Sequence, residues 1–324
     1  MARMARIERT GGPEVIEWVD VNVPPPGPGE VRMRNTAVGL NFIDTYHRSG
    51  LYPVELPSGL GGEAAGVVEA VGVGVTGLAP GDRVATFGPG LGAYSTERNV
   101  KASTLFKLPD DVSDEIAAAA LLKGGTVEFL IERCAKVQPG WTVLVHAAAG
   151  GVGQIAVQWL KAIGATVIAT VGNRDKAVLA QQAGADHVLL SREEDIAARV
   201  RAITGGAGVD VVLDGVGKAT WKASLASTKR RGLVVSFGNA SGPVEGVNIG
   251  ELARAGSLFV SRPTMFDYYV TAEERAHGSE RLFEMLRSGA VRVSIGQRFS
   301  LEDAADAHRA LEAGTTTGST ILIP

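Results

Sequence analysis

Thr142-Val143-Leu144-Val145-His146-Ala147-Ala148-Ala149-Gly150-Gly151-Val152-Gly153, running on through Gln154 to Ile163, decides how this 324-residue chain folds. The pattern reads as a strand over 142–146, a turn of small residues, and a helix with Ile155, Ala156, Trp159 and Leu160 along one side. Set on the glycine pattern G-x-G-x-x-G, the turn offers Ala148, Gly150 and Gly153, so alanine takes the first glycine's place. Glycines here let backbone approach a pyrophosphate, and a helix N-terminus presents unpaired N–H groups and a positive dipole end. Gly150, Gly151, Val152 and Gly153 are therefore candidate dinucleotide-binding residues. The plainer reading is a tight turn with no ligand. The context favours the ligand, because a strand precedes, a helix follows, and a second strand comes about twenty residues on.

Downstream the alternation continues. Ala165–Val171, His187–Leu190, Val209–Leu213, Leu233–Phe237 and Ser257–Val260 read as apolar strands, with helical patterns at Glu193–Ile203 and Lys218–Ser227 between them. Continuous apolar strands between helices imply a parallel sheet covered on both faces. In dinucleotide folds that select NAD, an acid at the end of the second strand bonds the ribose 2′-hydroxyl. Here that strand runs out through Val171-Gly172-Asn173-Arg174, with no acid in place. Gly172 leaves room for a 2′-phosphate, and Arg174 and Lys176 follow as candidate cations. NADPH is expected rather than NADH. Either cation alone would read as part of a solvated first helical turn.

Working outward, residues 1–120 are rich in Val, Gly and Pro, with short alternating runs separated by turn signals such as Pro80-Gly81-Asp82. The last sixty or so residues return to mixed character, with helices expected around Ala272–Ser288 and Leu301–Glu312 and a closing strand at Ser319–Ile323. The expected architecture is α/β. A Rossmann-type, doubly wound parallel sheet domain over 121–264, binding NADPH, is inserted in a β-rich domain made of 1–120 plus 265–324. The net charge of −3, without a long like-charge run, argues against a nucleic-acid binder that works by displacing counterions. One cysteine, Cys134, permits neither an internal disulfide nor a thiolate zinc site. It falls in a helical stretch, Glu128–Val137, where buried packing is its expected role. No run of about twenty apolar residues and no secretory leader is visible, so a cytoplasmic protein is expected.

Gly59-Leu60-Gly61-Gly62-Glu63-Ala64-Ala65-Gly66 resembles the G-H-E-x-x-G signature of the medium-chain alcohol dehydrogenases. Gly62 stands where those enzymes carry a zinc-binding His, and Asn41 stands where they carry a zinc-binding Cys. A catalytic zinc needs about three protein ligands, which Glu63 alone does not supply, and the five histidines are scattered. A metal-free site is expected. Over its whole length the chain then resembles the zinc-free quinone oxidoreductase branch, the zeta-crystallin-like proteins. The resemblance rests on Asn41-Phe42-Ile43-Asp44-Thr45-Tyr46 through Tyr52-Pro53, on the glycine turn, on Arg231 through Asn239, and on Ser261-Arg262-Pro263.

That resemblance implies a GroES-like catalytic domain around the nucleotide domain and the activity of an NADPH:quinone oxidoreductase. It implies that Asn41, Lys123, Thr126, Phe237, Gly238, Asn239, Phe259, Val260 and Ser261 meet the nicotinamide side of the cofactor. Gly172, Asn173, Lys176 and Ser191 would meet the adenine side, and Tyr46 and Tyr52 would face the substrate. Asn41 and Tyr52 are the candidates for holding a substrate oxygen, Tyr46 a lesser one; packing is the bland role for a Tyr beside Pro53. Lys123 reads equally as a cofactor contact or as a partner of Glu63. Two positions depart from close relatives: Ser191 replaces a Tyr near the 2′-phosphate, and Gly314 replaces an Arg. Arg174 is the expected substitute. A homodimer pairing edge strands around Gly256–Val260 is expected. Two other functions stay open: reduction of activated alkenes (enones, 2-enals, enoyl thioesters) with NADPH, and a non-catalytic NADPH-binding protein with a structural, sensing or RNA-binding role.

Overall fold

Runs such as Val143–Val145, Val167–Val171 and Val211–Leu213 have no polar face, and each is buried from end to end. Such strands are stable only with cover on both sides, and helices provide it. The computed structural model describes residues 1–88 and 90–324. In chain order its elements are β1 (Ala2–Ile7), β2 (Glu17–Val21), β3 (Glu30–Leu40), α1 (Phe42–Ser49), β4 (Ser58–Gly59), β5 (Glu63–Val71), β6 (Arg83–Phe87), β7 (Glu97–Lys101), β8 (Leu105–Lys107) and α2 (Asp114–Glu128). They continue with β9 (Thr142–Val145), α3 (Gly151–Ile163), β10 (Thr166–Val171), α4 (Arg174–Gln182), β11 (His187–Leu190), α5 (Ile196–Ile203), β12 (Val209–Asp214), α6 (Trp221–Ser227) and β13 (Thr228–Ser236). The last are α7 (Gly250–Arg254), β14 (Phe259–Ser261), α8 (Ala272–Arg287), β15 (Ile295–Ser300), α9 (Ala304–Glu312) and β16 (Ser319–Ile323).

Two compact units form: Met1–Leu122 with Val293–Pro324, and Lys123–Arg292. The first is mainly antiparallel. Its larger sheet runs β15-β16-β3-β5-β6-β8 with β7 also on β3, and its smaller one runs β2-β1-β4. Val31, Met33, Val38, Leu40, Val68, Val84 and Leu322 fill the core between them. The second unit holds a six-stranded parallel sheet in the order β11-β10-β9-β12-β13-β14, the doubly wound order whose reversal lies between β9 and β12. Leu144, Ile168, Leu189, Val212 and Val234 form a core on this sheet with Ile196 and Val200 of α5 and Leu225 of α6.

The second unit runs on to Arg292, not to 264 as the sequence suggested. The cause is packing that hydropathy does not display. Gly124 and Gly125 leave a smooth face on α2: a Cβ on Gly124 would stand 2.7 Å from Leu282 Cδ2, and one on Gly125 3.1 Å from Tyr269 Oη. Tyr269 fills the second gap, donating to Glu128 Oε2 at 2.8 Å, and Arg281 of α8 reaches Glu132 at 2.9 Å. Residues 265–287 are thereby tied to the nucleotide-type sheet unit. Cys134 ends a π-helical turn, Phe129–Cys134, and is partly rather than fully buried. Among the described residues no helix is long and apolar enough to cross a membrane.

Candidate functional site

All the strands of the parallel sheet point the same way, so their carboxyl ends share one edge. The Gly150–Gly153 turn follows β9 there, Gly172 to Lys176 follow β10, and Ser191 follows β11. Phe237, Gly238 and Asn239 follow β13, and Ser261 closes β14. The sequence-predicted cofactor residues of the second unit thus collect on the edge where open α/β sheets bind ligands. Phe259, Val260, Lys123 and Thr126 are the exceptions. The first two lie within β14 itself, at the end of the sheet, 61% and 37% exposed. Lys123 and Thr126 lie on α2; Lys123 is buried, and the Thr126 hydroxyl stands 3.8 Å from Met265 Sδ.

The turn itself is built for close approach. Ala147 takes a left-handed conformation, φ 52°, and its carbonyl accepts from Gly150 N at 3.0 Å. A Cβ on Gly153 would stand 2.6 Å from Ala148 Cα, so this glycine lets α3 press against the turn. A Cβ on Gly150 would meet only the Ala147 carbonyl, at 3.4 Å, which leaves that face open. Gly150 caps α3 in extended conformation without a side-chain cap, so the first N–H groups of the helix have no side chain bonded to them. The donors, the dipole and the open glycine face fit a dinucleotide pyrophosphate. Ala148, in place of the first glycine of the pattern, is buried, and its N–H donates to Thr170 O at 3.0 Å.

Beneath the turn lies a buried polar cluster that sequence reading missed. His146 Nδ1 stands 2.9 Å from Thr170 Oγ1, and its Nε2 stands 3.1 Å from Ser224 Oγ. Ser224 donates to Asp214 Oδ2 at 2.6 Å, and the other Asp214 oxygen accepts from Val216 N and Gly217 N at 2.9 and 3.0 Å. Burial lowers the His146 pKa, against the pull of Asp214, so the ring is neutral. Ser224 is fully buried, so the cluster does not act as a nucleophile; it fixes the ends of β9, β10 and β12 to one another.

At the adenine end, Asn173 caps α4 by accepting from Lys176 N at 2.9 Å. Arg174, expected to supply a cation, is 84% exposed along its side chain and sits 3.5 Å from Glu193. Ser191 Oγ donates to Val171 O at 3.1 Å. The guanidinium beside Gly172 is that of Arg192, which sequence reading passed over because it sits past the third strand, not the second. A Cβ on Gly172 would lie 3.6 Å from Arg192 Nε.

In the first unit, Asn41, Tyr46 and Tyr52 are brought together by α1 and the loop after it. Asn41 is the N-cap, and its N–H donates to Asp44 Oδ2 at 2.9 Å. Its Nδ2 donates to Glu63 Oε2 at 2.8 Å, and Glu63 Oε1 accepts from Leu122 N at 2.7 Å. Glu63 is fully buried, and a Cβ on Gly39 would stand 2.7 Å from its carboxyl carbon, so glycine at 39 makes the space. The Tyr46 and Tyr52 rings meet edge to face with centroids 5.2 Å apart. Among the described residues no three His, Cys, Asp or Glu side chains are grouped as a metal would require.

A second polar chain supports α1 from below. Tyr94 Oη lies 3.1 Å from Asp44 Oδ2 and 3.0 Å from His308 Nε2, and His308 Nδ1 lies 3.1 Å from Arg48 Nη1. Arg48 forks onto Glu312 at 2.6 and 3.0 Å. Arginine offers no acceptor, so His308 Nδ1 must accept, Nε2–H must donate to Tyr94, and Tyr94 must donate to Asp44. Burial, reinforced by the Arg48 charge, pushes the His308 pKa down to about 3, and burial with Asp44 raises that of Tyr94.

Comparison with known proteins agrees with both halves of the chain. Residues 27–110 match the family described as alcohol dehydrogenase GroES-like domain, and residues 151–284 the family described as zinc-binding dehydrogenase. A quinone oxidoreductase of Salmonella typhimurium is 51% identical across 100% of both chains. A 2-haloacrylate reductase of a Burkholderia species is 45% identical over 100% of this chain and 99% of that one. The crystal structure of Escherichia coli quinone oxidoreductase complexed with NADPH, 48% identical, superposes with a TM-score of 0.97 over 99% of this chain and 100% of that one.

Proposed function

This chain belongs to the quinone oxidoreductase branch of the medium-chain dehydrogenase/reductase superfamily, and from that membership we propose that it reduces a quinone with NADPH and without a metal. The observation that carries the reading is the 51% identity, over the whole of both chains, with a quinone oxidoreductase. When bound, NADPH supplies the hydride. In the second unit the Gly150–Gly153 turn and the N–H groups of α3 hold the pyrophosphate, and the residues beyond β10 and β11 hold the adenine end. In the first unit Asn41 and Tyr52, with Tyr46 packed on Tyr52, hold the substrate oxygen. One N–H of the Asn41 amide is spent on Glu63, which fixes the amide plane; the second is left to donate. Reducing a ketone makes an alkoxide, for which a metal is the strong stabiliser. A reduced quinone spreads its charge over a ring, so directed hydrogen bonds suffice. Asn41 and Gly62, standing in place of metal ligands, suit the second acceptor.

A second reading is favoured by one observation, the 45% identity to a reductase named for a haloacrylate, a conjugated alkene. Loss of NADPH absorbance in chelator-treated enzyme separates the two. Turnover of 1,4-benzoquinone with NADPH, well above that with NADH, is the expected result. Turnover of a small enone with none of the quinone moves the enzyme to the alkene reading, and activity abolished by the chelator refutes the metal-free site. The exposed apolar edge of β14, Phe259 and Val260, supports a homodimer formed there. The lone cysteine and the demand for a reduced cofactor support a cytoplasmic setting.

A further inference from the structure

Parallel strands that end together bring the residues after them side by side. Val171 pairs with Leu190 at the last rung of β10 and β11, and Ser191 N donates to Val171 O at 2.8 Å. That register sets Arg192 against Gly172. A Cβ on Gly172 would stand 3.6, 3.9 and 4.0 Å from Arg192 Nε, Cζ and Nη2, so the guanidinium lies directly beside the strand end and glycine leaves both open. The neighbouring acids are already engaged. Glu193 lies against Arg174 at 3.5 Å, and Glu194 binds Arg199 and Leu190 N, each at 2.8 Å. Among the described residues Arg192 itself has no carboxylate partner. Lys176 stands on the first turn of α4, four residues on from Gly172, where its backbone N–H donates to Asn173 Oδ1 at 2.9 Å, and its ammonium pKa is lowered by burial and then by the Arg192 charge. Two cations are thus held near each other beside an open glycine, a placement that favours a dianion between them.

We propose that Arg192, acting with Lys176 across the open face of Gly172, is the residue that selects the cofactor's 2′-phosphate, and that Arg174 is not. This rests on the NADPH reading above. The role of Ser191 follows: its hydroxyl is turned to Val171 O, and the guanidinium one residue later supplies the charge. A planar fork suits a phosphate better than an ammonium does.

The test uses two fragments, 2′,5′-ADP and 5′-AMP, titrated calorimetrically into the full-length protein. Wild type binds 2′,5′-ADP at least about tenfold more tightly than 5′-AMP, the size of one charge-assisted hydrogen bond. Arg192→Gln loses about that factor for 2′,5′-ADP and keeps its 5′-AMP affinity, while Arg192→Lys recovers part of the preference. Because Arg192 is exposed, these variants fold. An unchanged preference in Arg192→Gln overturns the proposal, as does a preference lost on Arg174→Gln instead. A wild type that does not distinguish the two fragments overturns the NADPH reading and the role of Arg192 with it.

Discussion

Replacing His308 with Gln should flatten the acid limb of the protein's stability. Gln can offer its carbonyl to Arg48 and its amide N–H to Tyr94, preserving the order of donors, but it cannot titrate. In the native chain the His308 pKa is pushed from the ordinary 6.5 to about 3 by burial and by Arg48. The unfolded chain therefore binds a proton at His308 that the folded chain refuses. Stability from this source is present above about pH 6.5, falls by about 1.4 kcal/mol per unit below it, and stops falling near the folded pKa. Between neutrality and pH 5 the loss amounts to roughly 2 kcal/mol. His146, also depressed by burial, adds a slope of the same sign, so the quantity to read is the difference between wild type and variant. Urea unfolding of both proteins across this range should give curves that converge as the pH falls, with wild type the more stable at neutrality. Parallel curves would refute the assignment. So would an imidazole resonance for His308 that titrates between pH 6 and 7 in the folded protein.

Two further changes probe the Asn41 side. Gly39→Ala places a methyl group into the Glu63 carboxylate and the Ala118 carbonyl, neither of which can turn away, and should destabilise by about 3 kcal/mol, read as a lowered urea midpoint. Glu63→Gln sets an NH2 group against the Asn41 amide or the Leu122 N–H, from which the carboxylate now accepts, at a cost of about 2 kcal/mol. It should also lower kcat/KM for quinone while leaving 2′,5′-ADP affinity untouched; an unaltered kcat/KM would show that the Asn41 amide does not hold the substrate.

The doubly wound sheet was legible because apolar runs such as Val143–Val145, Ile168–Val171 and Val211–Leu213 alternate with helix patterns at Gln154–Ile163, Glu193–Ile203 and Lys218–Ser227. Helix starts were less so. The pattern at Glu193–Ile203 suggested an early start, but α5 begins at Ile196, since Asp195 caps Ala198 N and Glu194 is drawn back to Leu190 N. The end of the second unit was misread for a different reason. Hydropathy shows that α8 is amphipathic but not which surface it covers; that is decided by two glycines on α2, about 150 positions earlier.

The site divides along the same line. Candidates that would act through backbone, such as Gly150, Gly153 and Gly172, announce themselves in sequence, because glycine at a strand end has few other uses. Charged side chains do not, because their meaning depends on what lies beside them. Arg174 and Arg192 are both arginines that follow a strand of the second unit, yet one lies exposed 3.5 Å from Glu193 and the other lies open against Gly172. The support beneath Asn41 was invisible for the same reason: Arg48 and Tyr94 reach His308 across 260 and 214 positions, with no spacing to reveal it. What pointed to a site in the first unit was substitution at named positions. Asn41 and Gly62 leave Glu63 without fellow ligands, and a buried carboxylate in that position has to be met by hydrogen-bond donors or by a cation. The Asn41 amide and the Leu122 N–H meet it here. The residue that stands in place of a metal ligand thus also satisfies the carboxylate beside it, so one position answers both for the missing ligand and for a stable interior.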